Sequence, residues 1–314
     1  TRGGAVFVQE TYQVSSPAAP STASSLVVDF HTHIFPPEVI RRRDDFADLC
    51  PRFAALYRRP TSRLATAEQL IDEMDASGVD VSVVLGFDWT SHTLCRLHND
   101  YLLDALRRYP GRLVAFASIN PLAGDLAIAE LERCVEGGMR GIGELNPEAK
   151  PFHYDDVGVL RPLFEFAAAH RLIVLTHASE PTGHVYPGKG TCTPDVLARM
   201  VERFPDNVFV LAHCGGGLPF YELMPEVGRA LQKTYYDTAA WPYLYEDRVF
   251  AALVALVGAG RVLWGTDYPL LRQRRLLERV RRMELPLEVE RAILGGNAAA
   301  LLGLVPAVDD GRGP

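Results

Sequence analysis

The sequence contains no apolar run approaching the roughly 20 residues that a membrane-crossing helix requires, so no helical span is expected. It also contains no Lys/Arg run long enough to follow a phosphate backbone. The richest basic segments, Arg41 to Arg43 and residues 272–282, have acidic residues close by, and the net charge is -7. Nucleic acid is therefore excluded as an expected partner. Paired cysteine spacings are missing too, because the five cysteines (Cys50, Cys95, Cys134, Cys192 and Cys214) are scattered. That set excludes a disulfide framework and fits reduced thiols in a cytoplasmic protein. The first 25 residues carry Ser15-Ser-Pro-Ala-Ala-Pro20 and Ser21-Thr-Ala-Ser-Ser25 but lack the charged start and apolar core of a secretory signal. They read as a flexible arm or a cloning remnant, with Thr1 where an initiating methionine is usual, and residues 305–314 read as a disordered tail.

What remains is 48% hydrophobic and 23% charged, the composition of an ordinary soluble globular protein with ample core. From residue 26 to 304, short β-branched runs alternate with amphipathic stretches, which predicts βα units on a parallel sheet. Strands are expected at 26–31, 80–85, 112–119, 140–145, 172–177, 208–213, 234–238 and 261–265. Helices are expected near 65–77, 92–109, 124–137, 157–170, 194–204, 218–232, 245–258 and 270–283. Thr193 before Pro194 marks a helix start, and Gly137-Gly138 marks a helix end. Eight such units are the count of a single-domain α/β fold, the (β/α)8 TIM barrel. A further C-terminal helix near 287–301 would pack outside it.

Four histidines and one aspartate close short apolar runs: His31 and His33, His177, His213 and Asp267. Such groups are costly at the end of a buried strand unless something binds them. Barrel active sites sit at the carboxyl ends of the strands, where these five converge, and a divalent ion would satisfy them. Strict alternation along Leu26-Val-Val-Asp-Phe-His-Thr-His33 points Asp29, His31 and His33 inward and Leu26, Val28 and Phe30 toward the helices. The other histidines, His92, His98, His153, His170 and His184, fall in helices or loops and read as solvated.

Seven motifs in order resemble the amidohydrolase superfamily, in the branch that includes aminocarboxymuconate-semialdehyde decarboxylase and many proteins called amidohydrolase 2. They are Asp29-Phe-His-Thr-His-Ile-Phe-Pro36, Gly141-Ile-Gly-Glu144, Thr176-His177, Ala212-His-Cys-Gly-Gly216, Tyr236-Asp-Thr238, Gly265-Thr-Asp-Tyr-Pro269 and Leu294-Gly-Gly-Asn-Ala-Ala-Ala-Leu-Leu-Gly303. The resemblance spans residues 27–304. It implies one metal ion, usually Zn2+, held by the residues matching His31, His33, His177 and Asp267, with the residue matching His213 unligated beside the bound water. Only Lys150, Lys189 and Lys233 are lysines, and none ends an expected strand. The carboxylated lysine that bridges two metals in many superfamily members is thereby excluded. Glu144 occupies the strand 4 position instead, where it could be an additional ligand, an outer-layer partner like Asp29, or a bridge to a second metal.

A divalent ion lowers the pKa of its water from about 15.7 to about 7. Asp267 and His213 could then share the proton work, with Asp267 accepting the water proton and His213 polarising the electrophile. This predicts a metal-dependent hydrolase acting on a small, carboxylated amide, ester or lactone. A non-oxidative decarboxylase of an aromatic or unsaturated acid would use the same residues, and a non-catalytic metal-binding barrel is the third reading. Substrate contacts are sought in the βα loops. Residues 34–63 form the longest candidate lid, with Phe35, Phe46, Phe53 and Tyr57, and Arg41 to Arg43 on a solvated face. Trp89, Asn120, His184, Tyr186, Trp241 and Tyr243 are further candidates, and Cys214 is expected as a buried thiol. A homodimer is the base-rate expectation for assembly.

Overall fold

The computed structural model describes residues 26–148, 150 and 152–304, so the expected arm and tail lie outside the described residues. Eight parallel strands run in the order β1 to β8: Val28–His33, Val81–Leu85, Leu113–Ala117, Gly141–Leu145, Ile173–Thr176, Val208–Leu211, Thr234–Asp237 and Val262–Leu263. Hydrogen bonds from Phe30 N to Trp264 O (2.8 Å), Asp267 N to His31 O (2.8 Å) and His33 N to Tyr268 O (2.7 Å) join the segment after β8 back to β1. These bonds close the ring of a (β/α)8 barrel.

Two apolar layers hold it. One consists of strand residues from around the ring, including Phe30, Leu85, Phe116, Leu175, Val210 and Leu263, which meet one another inside the barrel. The other interleaves the outer strand faces, such as Val84, Ile142, Val174 and Phe209, with helix residues such as Leu70, Leu102, Leu131, Phe164 and Leu197. Both expected signals mark helix ends, Thr193 as the N-cap of Pro194–Arg203 and Gly137 as the C-cap of Asp125–Glu136. Thr66 and Gln69 cap the helix Ala67–Ser77 reciprocally, and Gly78 ends it at φ 74°.

Three expectations differ from the structure. Alternation fails in β1, where Asp29 pairs with Ser82 but Thr32 pairs with Val84, so β1 spends three steps against two in β2. This bulge leaves Val28 and Phe30 in the barrel interior and turns Asp29 outward, while still delivering His31 and His33 to the mouth. The helix expected over 218–232 shrinks to Pro225–Ala230, because Cys214, Gly215, Gly216 and Gly217 all adopt left-handed φ between 57° and 97°. The tight winding requires glycine, since a Cβ on Gly216 would stand 2.6 Å from Ser179 O. The C-terminal helix is broken by a π-turn at Ala292–Gly296, and its last segment, Asn297–Leu302, sends Ala298 and Leu302 into the interior cluster. It closes the amino-terminal end of the barrel instead of lying outside it.

Residues 34–63 form three short helices, Pro37–Arg41, Arg43–Leu49 and Pro51–Tyr57, over an aromatic cluster of Phe35, Phe46, Phe53, Phe87 and Trp89. No described helix is long and apolar enough to cross a membrane.

Candidate metal centre

At the carboxyl ends of the strands, the structure gathers six donors into two groups of three. His31, His33 and Asp267 form one and Glu144, His177 and His213 the other, with the donor atoms inside each group within 4.8 Å of one another. In the first group His31 Nε2 lies 3.2 Å from His33 Nε2, and Asp267 Oδ1 lies 3.4 Å from His33 Nε2 and 3.8 Å from His31 Nε2. In the second, His177 Nδ1 lies 2.7 Å from Glu144 Oε1 and 3.2 Å from His213 Nε2. His177, which the family resemblance sets beside His31 and His33, thus faces Glu144 and His213. Asp267 and His213 reach these positions through left-handed backbone, at φ 63° and 55°. For non-glycine residues that costs of order 1–3 kcal/mol and persists where surrounding contacts over-determine it.

Those contacts come from behind. Asp237, at the end of β7, sets Oδ2 2.9 Å from His31 Nδ1, while its Oδ1 accepts the His213 N–H at 3.1 Å and the Ala239 N–H at 2.9 Å. His213 Nδ1 lies 3.0 Å from the carbonyl oxygen of Ala239. A carbonyl can only accept, so Nδ1 carries a hydrogen and Nε2 is the nitrogen that faces the centre. The same logic at Asp237 frees Nε2 of His31. Gly265 completes the fit, because a Cβ there would stand 2.9 Å from His31 Cβ.

Asp29 takes no part in either group. Its Oδ1 accepts the N–H groups of His31 (3.2 Å) and Thr266 (3.0 Å), and its Oδ2 accepts from Thr266 Oγ1 (2.5 Å) and Gln273 Nε2 (2.8 Å). It is a fully buried latch that ties β1 to the residue preceding Asp267, with its pKa pushed up to about 6 by burial against those four donors.

The donor set fits a divalent cation. Two imidazole nitrogens facing each other at 3.2 Å need a cation or a proton between them, and donors about 2.1 Å from a tetrahedral ion lie about 3.4 Å apart. Burial disfavours a charged His31, yet Asp237, Glu144 and Asp267 outweigh it and raise its pKa to about 9. His213 is raised to about 10 against the same burial, chiefly by Glu144. Glu144 and Asp267 are conversely held below the usual carboxylate range despite burial, Glu144 mainly by His177 and Asp267 mainly by His33. A cluster that draws protons this strongly is a receptor for positive charge.

The candidate substrate residues have mixed positions. Phe35 and Trp89 are fully buried, Phe35 against Phe53 and Tyr57, and Trp89 stacked on Phe53 with its indole N–H 3.0 Å from His98 Nδ1. Asn120 caps the following turn, accepting from Leu122 N and donating to Thr90 O. His184 is exposed, 5.4 Å from the Tyr186 ring, whose hydroxyl donates to Glu180. Trp241 lies in the outer layer, its ring on Phe250 and its indole N–H on Asp247. Cys214 is buried as expected, but His98 is not solvated. It sits wholly inside the aromatic cluster with Nε2 2.8 Å from Ile34 O, and burial pulls its pKa down to about 4.

Sequence reasoning missed a second cluster. Buried Arg52 sets Nε 3.5 Å from Asp88 Oδ2, and Lys150 Nζ lies 4.0 Å from the same oxygen and 3.0 Å from Asn146 O. Arg52 Nε, Asp88 Oδ2 and Asn146 Nδ2 are all buried without a hydrogen-bond partner. Burial raises the Asp88 pKa against the pull of Lys150 and Arg52, with weaker contributions from Glu144 and His177 of the metal centre, and burial followed by Asp267 and Glu144 drives the Tyr57 hydroxyl upward. Arg52 was hidden among the arginines of 41–63, and Lys150 by its position in a loop.

A family profile described as amidohydrolase matches residues 28–304. The chain is 24% identical to 2-amino-3-carboxymuconate-6-semialdehyde decarboxylase of Dictyostelium discoideum, over 90% of this chain and 93% of that protein. It is also 24% identical to gamma-resorcylate decarboxylase of a Polaromonas species, over 55% of this chain and 65% of that one. Among solved structures, 5-carboxyvanillate decarboxylase from Sphingomonas paucimobilis superposes with a TM-score of 0.74 at 20% identity, covering 90% of this chain and 100% of that one. The enzyme of that name from Novosphingobium aromaticivorans, complexed with manganese and a nitrobenzoic acid, gives 0.73 at 18% identity, covering 92% and 98%. At these identities the superpositions speak for the fold alone.

Proposed function

The chain belongs to the amidohydrolase family and is an enzyme of the hydrolase or carboxy-lyase type, and on that premise we propose that it is a metal-dependent decarboxylase of a small aromatic or unsaturated acid. The hydrolase reading rests on the superfamily, whereas both curated relatives are named as decarboxylases, which favours the carboxy-lyase. The observation that carries the proposal is the buried Arg52, whose Nε finds no hydrogen-bond partner, beside a centre built for a cation. Even with Asp88 3.5 Å away, a buried guanidinium whose Nε makes no hydrogen bond is costly, and a substrate carboxylate would satisfy it.

His31, His33 and Asp267 would hold the cation. Zinc suits the imidazole-rich donor set, and manganese is the ion in the related structure. When bound, the ion supplies electrophilic stabilisation of negative charge on substrate oxygens. The reaction breaks the bond between the substrate carbon and its carboxylate, leaves the electron pair on that carbon, releases carbon dioxide and places one proton on the vacated carbon. His213 presents Nε2 to the centre, fixed from behind by Ala239, and in its doubly protonated form is the group we assign to deliver that proton from Nε2. Asp267, at the mouth of the same centre, is the second group able to carry it. Arg52, with Lys150 and Asn146 behind it, would orient the acid.

The test is turnover by the metal-loaded protein on hydroxybenzoates, carboxylated unsaturated acids and lactones, with carbon dioxide and product followed together. One carbon dioxide per substrate consumed, with a single deuteron at the vacated carbon in heavy water, supports the proposal. Hydrolysis without carbon dioxide would replace it with the hydrolase reading.

A further inference from the structure

Away from the six metal donors, the described residues border an open cavity of about 630 Å3. One wall is the chain returning from the lid, residues 60–65, and the second is the helix Ala67–Ser77. The third is the segment after Asp267, with Tyr268, Pro269 and Arg272. The volume lies in the range of small-molecule sites, about 300–1,000 Å3.

The charges around this cavity do not cancel. Arg43, Arg63 and Arg272 border it against the carboxylates of Asp72 and Glu73. Glu73 is committed to Arg272, whose Nη1 it meets at 2.5 Å. Arg43 donates to the carbonyl oxygen of Arg59 at 2.8 Å and pairs with no carboxylate, and Arg63 has neither an ion pair nor a hydrogen bond among the described residues. Asp72 is likewise unpaired among them. Two arginines without an anion thus face a hollow whose walls also include Leu64 and Pro269. A guanidinium fork matches the two oxygens of a carboxylate. The leucine and proline suit an apolar body, and Asp72 can accept from a hydroxyl carried on it.

We propose that this cavity is a binding site for a small aromatic carboxylate, separate from the metal centre and coupled to it. The choice of an aromatic body rests on the decarboxylase reading above, since the substrate would then be such an acid, whereas the choice of a carboxylate rests on the arginines. The coupling runs through the backbone. Tyr268 O accepts the His33 N–H at 2.7 Å, and Ala65 O, in the facing wall, accepts the Phe35 N–H at 2.8 Å. Tyr268 also directly follows Asp267, and its hydroxyl donates to Gln69 O at 3.2 Å on the helix wall. An acid gripped by Arg63 on the lid side and by Arg272 beside Tyr268 clamps these walls together. His33 and Asp267 then have less freedom to lose when an ion binds, so the acid tightens the ion, and the ion tightens the acid by the same factor.

The experiment uses benzoate as the probe on the full manganese-loaded chain, with bound benzoate counted by equilibrium dialysis. Two benzoates per chain are expected, one at Arg52 and one in the cavity. Arg63→Gln should weaken the cavity benzoate about 10- to 100-fold, the loss of a charge-assisted hydrogen bond, while Arg52→Gln leaves it in place. In Arg52→Gln protein, saturating benzoate should lower the manganese dissociation constant, and adding Arg63→Gln should abolish that effect, each with unchanged circular dichroism. Benzoate binding that Arg63→Gln leaves unchanged overturns the cavity site and leaves the decarboxylase reading standing. An Arg63-dependent benzoate that does not alter manganese affinity overturns the coupling. Substrate hydrolysis without carbon dioxide, with the Arg63-dependent benzoate retained, overturns the decarboxylase reading and leaves the site.

Discussion

The Asp237→Asn substitution probes how the centre is held, because it changes one atom of a side chain that meets His31 only at Nδ1, the ring nitrogen turned away from the proposed ion. In the wild type Oδ1 accepts two backbone N–H groups, from His213 and Ala239, and Oδ2 faces His31 Nδ1 at 2.9 Å. An asparagine can keep the first oxygen in place only by presenting its NH2 to His31, donor against donor. Relief comes if the His31 proton moves to Nε2, the nitrogen that faces His33 at 3.2 Å and would bind the ion. The alternative, turning the amide over, strands two buried N–H groups at about 1–3 kcal/mol each. Either way the ion loses a well-oriented ligand. Loss of such an outer-layer partner weakens metal affinity about 10- to 100-fold, equivalent to about 1.4–2.8 kcal/mol. The assay is competition for manganese against a fluorescent chelator at constant pH, with circular dichroism to verify the fold. An unchanged dissociation constant in a folded Asp237→Asn protein would refute the reasoning, since it would mean that His31 needs no carboxylate to set its tautomer.

Other consequences can be checked as directly. Arg52→Gln should raise KM for carboxylated substrates about 10- to 100-fold, the value of a lost charge-assisted hydrogen bond, with a much smaller change in kcat; an equal rise for an uncharged analogue in steady-state kinetics would sink the assignment. His98 is neutral in the fold, with its pKa lowered from 6.5 to about 4, so the stability it confers is fully present above pH 6.5 and drains away as pH falls toward 4. Relative to His98→Gln, the wild type should therefore lose of order 3 kcal/mol across that window, read as converging melting temperatures; parallel pH curves would contradict it. Gly216→Ala forces a Cβ to 2.6 Å from Ser179 O at φ 60°, and should cost about 1–3 kcal/mol by denaturant titration while disturbing His213 three residues earlier. A melting curve identical to wild type would show that the loop yields freely.

The legible part of this protein is the part that local chemistry governs. Eight β-branched runs separated by amphipathic helices specify a closed parallel ring because each run must bury both faces, and the polar residues ending those runs must then meet at one mouth. His31, His33, His177, His213 and Asp267 could be picked out on that ground alone. The aromatic lid over 34–63 was visible in composition, although not the burial of Phe35, Trp89 and His98 inside it. Trp241 was misjudged for a related reason, since a strand-end aromatic can turn to the helix layer as easily as to the mouth.

Tertiary structure decided what depends on long-range pairing. Alternation along β1 assumes that the neighbouring strand keeps step, and the extra residue opposite β2 is invisible until the two strands are aligned. That bulge sends Asp29 out to Thr266 and Gln273, more than 230 residues away, and still brings two histidines to the mouth. The sharing of Glu144 between donor groups, the bracing by Asp237 and the meeting of Arg52 with Asp88 and Lys150 likewise join separate strands and loops. By itself, then, the sequence determined the barrel and the residue types at its mouth, because burial and periodicity act over a few neighbours. The division of those residues into ligands, braces and substrate anchors waited on the closed ring, because hydrogen-bond partners across it are chosen by distance in space and carry no mark in the local pattern.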